Sequence, residues 1–81
     1  MNKEQFQCIS DEYAEKCVGK NITFTRENGS QETRKIIGLL LLDHREKEIL
    51  HLDKATKYLG FQLDGKDRLF FNTQIDNITI E

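Results

Sequence analysis

Residues 36–42 read "IIGLLLL", an uncharged run in a chain whose residues are 32% charged. The run falls far short of the roughly 20 apolar residues that a membrane-crossing helix requires. A glycine interrupts it, and polar turn-forming segments bracket it, "ENGSQ" before and "DHREKE" after. These features predict a long strand over "TRKIIGLLLLD", buried on both faces for part of its length. Gly38 is the expected hinge, where the strand bends so that its two halves serve different sheets. Periodicity alone leaves a buried helix as the competing reading.

Upstream of the run, "NITFT" alternates with period two and sets Ile22 and Phe24 on one face, Thr23 and Thr25 on the other. Before it, "SDEYAEKCVGK" predicts one short helix: Ser10 is a suitable N-cap, Asp11 and Glu12 fall in the first turn, and Gly19 closes the end. Tyr13, Cys17 and Val18 are expected to face the core. Downstream, "DHREKE" reads as a polar turn and "EILHLD" as a strand with Leu50 and Leu52 on one face, Ile49 and His51 on the other. "DKAT" is a loop, and "YLGFQL" turns Leu59, Phe61 and Leu63 inward. Asp64-Gly65 has the signature of a tight two-residue hairpin. "RLFFN" returns through Leu69 and Phe71, and "NITI" ends the chain with Ile78 and Ile80 on one face.

The pattern predicts a mainly β fold: a small Sm-like or SH3-like barrel of five to six short antiparallel strands with one N-terminal helix. With 81 residues and no linker composition, the expectation is a single domain, the helix over about residues 10–19 and the barrel over about 20–81.

Composition excludes several function classes. Apolar residues make up 37% of the chain, enough for a core, so disorder is not expected. The opening "MNKEQFQCIS" has no hydrophobic signal segment, and the expectation is a soluble, cytoplasmic protein. For the same reason the two "NIT" triplets, at Asn21 and Asn77, read as strand residues and not as glycosylation acceptors. Cys8 and Cys17 are too few for a disulfide scaffold and lack a C-x-x-C spacing; two free thiols or one bridge both fit. His44 and His51, taken with these cysteines, match no metal-site spacing. No nucleophile elbow, phosphate-binding glycine loop or cofactor motif is present, so no enzymatic reaction and no cofactor are expected.

The net charge is −2, and it is unevenly placed. Glu4, Asp11, Glu12 and Glu15 outnumber Lys3 and Lys16 in the first 17 residues, whereas the remainder is balanced. An acidic helix on a neutral body fits a basic protein partner, and it also fits ordinary dipole complementarity at a helix N-terminus. A different class of function is RNA binding. There Tyr58 and Phe70, projecting opposite Leu59 and Leu69, would stack bases, and Lys54, Lys57, Lys66 and Arg68 would meet phosphates, although Asp53, Asp64 and Asp67 offset their field. A third class is self-assembly through exposed strand edges.

Several segments also resemble a known family. "ISDEY", the helix carrying Cys17, and "NITFTRENG" are similar to the opening of the small Rho-binding antiterminators of the Rof type. "KYLGFQLDGKDRLFF" followed by "IDNITI" resembles that family's closing hairpin and last strand. The resemblance implies an Sm-like barrel whose N-terminal helix binds the transcription terminator Rho and blocks its RNA-loading surface, with no catalytic step and no cofactor. The positions matching the family's acidic opening are Asp11, Glu12 and Tyr13, with Glu15 on the same helix.

Overall fold

The computed structural model describes all 81 residues. The fold is mainly β, with five antiparallel strands in the order β4-β3-β2-β1-β5: β1 Asn21–Arg26, β2 Gln31–Leu41, β3 Leu59–Leu63, β4 Arg68–Phe70 and β5 Ile75–Ile80. Three short helices, α1 Lys3–Gln7, α2 Asp11–Cys17 and α3 His44–Ile49, complete it. No helix is long and apolar enough to cross a membrane.

β2 is the strand that organises the sheet. Its first half pairs with β1, from Gln31 opposite Thr25 to Lys35 opposite Asn21. Its second half pairs with β3, from Ile36 opposite Leu63 to Leu41 opposite Leu59, with an irregularity between Ile36 and Gly38. The extra residue there is Ile37, so the expected bend is present as a bulge beside the glycine. The sheet curls around a core of Phe24, Ile22, Ile36, Phe61, Leu63, Leu69, Phe71, Ile75 and Ile78, in the manner of a small barrel. β4 and β5 form its two ends and pair only with β3 and β1.

The burial expected on both faces of β2 is not found. Only Ile36 is fully buried within it, and Ile37, Leu39 and Leu41 are 53%, 41% and 53% exposed. The physical reason is one-sided cover: Gly38, Leu40 and Leu42 turn toward the core, whereas Leu39 and Leu41 alternate onto the outer face.

The helices differ from expectation in number. α1 was not foreseen. Asn2 caps it in a reciprocal pair, its side chain accepting from the Gln5 N–H at 2.9 Å while the Gln5 side chain accepts from the Asn2 N–H at 2.8 Å. The helix delivers Phe6 into the core, edge-on to Phe71 at 5.4 Å and tilted against Phe61 at 6.2 Å. α2 follows the expected course from the Ser10 cap, whose hydroxyl accepts from the Tyr13 N–H at 3.2 Å. Its buried residues are Ala14 and Cys17, whereas Tyr13 and Val18 are 42% and 41% exposed. The spacing of Ala14 and Cys17 turns the core-facing side one residue away from Tyr13.

Residues 44–53 contain no strand. "HREKEI" is helix α3, capped by Asp43, whose carboxylate accepts from the Glu46 N–H at 2.8 Å. Ile49 and Leu50 are exposed, and His51 lies past the helix end at φ 57°. The hairpin after β3 is longer than two residues: a single 3-10 turn spans Asp64–Lys66, with Gly65 and Lys66 at φ 75° and 67°, and the Leu63 N–H bonds the Asp67 carbonyl at 2.8 Å. In β5 the buried residues are Ile75 and Ile78, with Ile80 half-buried, because Asn77 at φ 51° shifts the alternation.

Candidate functional site

α2 is held rigidly from beneath. Ala14 and Cys17 are buried against the barrel, and at its C-terminal end the Gly19 N–H bonds the Ile36 carbonyl at 2.8 Å while the Ile36 N–H bonds the Lys20 carbonyl at 2.9 Å. Gly19 sits at φ 94°, the left-handed conformation that ends the helix and lets the chain enter β1. The face this anchoring leaves outward carries Asp11, Glu12 and Glu15, all exposed, with Tyr13 beside them. Burial raises the Tyr13 phenol pKa above its ordinary value, and the neighbouring Cys17 adds to the shift, so the ring is neutral at physiological pH.

Besides Lys16, which α2 itself carries exposed in its last turn, one cation from elsewhere in the fold approaches this face. The Lys57 ammonium lies 3.8 Å from the Asp11 carboxylate, and both side chains are well exposed. A pair this long and this wet contributes about 0–1 kcal/mol. It leaves the Asp11 charge available to a competing cation. Glu12 and Glu15 have no ion-pair partner in the structure.

The residues proposed for RNA are only partly brought together. Tyr58 and Phe70 are both half-buried. The Arg68 guanidinium stands 5.9 Å from the centre of the Phe70 ring and donates to Glu46 of α3 at 2.8 Å. The Lys47 ammonium stands 5.8 Å from the Tyr58 ring centre and donates to the Lys54 carbonyl at 3.2 Å. Each ring therefore already has a cation over it. Lys66 is exposed in the turn, and Lys57 leans toward Asp11. Near Lys47, Asp53 closes its own loop by accepting from the Ala55 N–H at 3.0 Å and the Thr56 hydroxyl at 2.8 Å, which hold its carboxyl below the usual range.

Lys47 is the residue that sequence reasoning missed. It is a nearly buried lysine on α3, and its signal was the Asp43-x-x-Glu46 cap, which marks a helix start where a turn was read. Both cysteines are free thiols, Cys8 exposed and Cys17 buried. His44 opens α3 and His51 follows it, both exposed; no cluster of three metal-ligating side chains forms anywhere in the chain. The chain matches no family model, no curated protein and no solved structure.

Proposed function

We propose that this chain is a non-enzymatic interaction module that engages a basic groove on a protein partner through the outward face of α2. The observation that carries this reading is the exposed row Asp11, Glu12 and Glu15 on a helix fixed to the barrel by Ala14 and Cys17. A rigid helix loses little conformational freedom on binding, and opposite charge on the partner steers the encounter. Tyr13 supplies an apolar surface with a polar tip at the margin of that face, next to Cys17.

The resemblance to the Rho-binding antiterminators makes Rho the partner to test, with Asp11, Glu12, Tyr13 and Glu15 occupying part of the groove that loads RNA. Such a role belongs in the cytoplasm and acts by blocking transcription termination. Calorimetry of the purified chain with Rho should show binding that a saturating pyrimidine-rich RNA removes. The triple variant Asp11→Lys, Glu12→Lys, Glu15→Lys should weaken binding at least tenfold, or about 1.4 kcal/mol, with an unchanged circular dichroism spectrum. Full affinity in that variant would discard α2 as the contact.

RNA binding through Tyr58, Phe70, Lys57, Lys66 and Arg68 has less support, since Arg68 is committed to Glu46 and both rings carry cations. That alternative requires an affinity for single-stranded RNA that falls steeply with salt.

A further inference from the structure

The second half of β2 is an unprotected sheet edge. The Leu42 N–H bonds the Tyr58 carbonyl at 3.1 Å, which sets the phase of the ladder: Leu40 and Gly38 exchange their bonds with Gly60 and Gln62. β3 agrees with this phase, because Leu63 and Leu59 turn their backbone groups the other way, the Leu63 N–H to the Asp67 carbonyl and the Leu59 carbonyl to the Phe71 N–H. Leu39 and Leu41 therefore direct their N–H and C=O groups away from β3. On that side β1 pairs only as far as Lys35, and the Gly19–Lys20 backbone covers only Ile36.

The other two edges of the sheet are blunted. β4 is three residues long, and its Arg68 is tied to Glu46. β5 is interrupted by Asn77, and the Met1 backbone takes both hydrogen-bonding groups of Ile78. Short length, charge, irregularity and cover are the devices that suppress edge pairing. Past the Ile37 bulge, and although α2 packs against β2, residues 38–41 have no strand bonded on that side; the exposed side chains there are Leu39 and Leu41, and the run 36–42 carries no charge.

We infer that this edge pairs with the same edge of a second copy, antiparallel across a two-fold axis, with Leu39 of each copy opposite Leu41 of the other. The free groups are self-complementary in this register: Leu39 and Leu41 are two residues apart and point the same way, so each pair exchanges both of its backbone bonds. Both positions are leucine and lie on the same face of the strand, so the exposed apolar side chains cover one another across the axis. The uncharged run brings no like charges together, and it offers nothing to attract the basic partner that suits α2. The dimer edge uses the backbone of β2 and not the acidic side chains of α2, which packs on the same strand.

Sedimentation velocity from micromolar to millimolar concentration tests this. The wild-type chain shifts from its 9.5 kDa monomer mass to twice that value as concentration rises. L39K and L41K each remain monomeric over the same range, with melting curves that show a folded protein. A second measurement does not depend on lysine being tolerated. In a Cys8→Ser background, mixed L39C and L41C chains cross-link to each other on mild oxidation. A wild-type chain that stays monomeric at millimolar concentration overturns the inference. So does a dimer that survives both lysine substitutions, or one in which the mixed cysteine chains fail to cross-link.

Discussion

Arg34 on β2 meets Asp67 at 2.6 Å, and with the same guanidinium it holds Asp64 at 2.8 Å and the Asp64 backbone carbonyl. One planar, forked donor thus ties three acceptors of the β3–β4 turn to the strand that neighbours β3. The carboxylates raise the Arg34 pKa above its already high value, so the charge is permanent. Arg34→Lys keeps the charge but cannot reproduce the fork. Faster amide exchange is expected over Gly65–Asp67 in that variant, with exchange in β1 unchanged.

Gly60 on β3 lies opposite Phe70 of β4, close against its backbone. A Cβ there would lie 2.5 Å from the Leu69 carbonyl oxygen and 2.8 Å from the Phe70 Cα, both backbone atoms that cannot swing aside. Gly60→Ala should cost about 1–3 kcal/mol, read as a lower denaturation midpoint. Gly38→Ala, whose added Cβ would meet nothing nearer than the Gln62 Cβ at 3.9 Å, is the control and should fold normally.

Phe6 is fully buried although α1 is only five residues long. Its ring joins Phe61 and Phe71, which lie 4.9 Å apart and edge-on. Phe6→Ala removes the largest side chain that α1 contributes and should cost about 3–5 kcal/mol, a large share of the stability of so small a core. Urea denaturation should then show a strongly lowered midpoint.

The two thiols should behave differently. Burial is the main force pushing the Cys17 thiol above its ordinary pKa, with smaller opposing effects from Tyr13 and Lys20. A native-state thiol reagent at neutral pH should therefore label Cys8 quickly and Cys17 only on unfolding. A raised folded-state pKa means that the unfolded chain loses its proton first. The Cys17 contribution is complete below the unfolded thiol pKa and is lost as pH rises through the folded one. Thermal melts should fall on the alkaline side, and less so in Cys17→Ala.

What could be read from the residues alone follows the range of the interactions concerned. β1 was legible because Ile22 and Phe24 alternate against threonines, and α2 because Ser10 caps it locally. The bend of β2 was legible from Gly38. α1 was not, since a single apolar residue, Phe6, sets up no period; only the Asn2-x-x-Gln5 cap marks it. α3 was misread because "EILHLD" alternates by chance while Asp43 and Glu46 signal a helix start. The outward turn of Tyr13 was missed because Ala14, small enough to pack closely, took the buried position. The acidic row on α2 was visible as sequence. The open edge at Leu39 and Leu41 was not, because it exists only where β1 stops short of β2, a long-range relationship.

The bonds between Asn21 and Glu81, 2.7 Å and 2.9 Å, join the start of β1 to the residue that follows β5. β5 therefore reaches its place beside β1 only after the other four strands have left the ribosome. Until then Ile22 and Phe24 lack Ile75 and Ile78, and β1 has a bare outer edge. Such distant closure places folding in the slow range of small β proteins, about milliseconds to seconds. A nascent chain that stops before Ile75 should be held by chaperones or aggregate, and extension through β5 should release it.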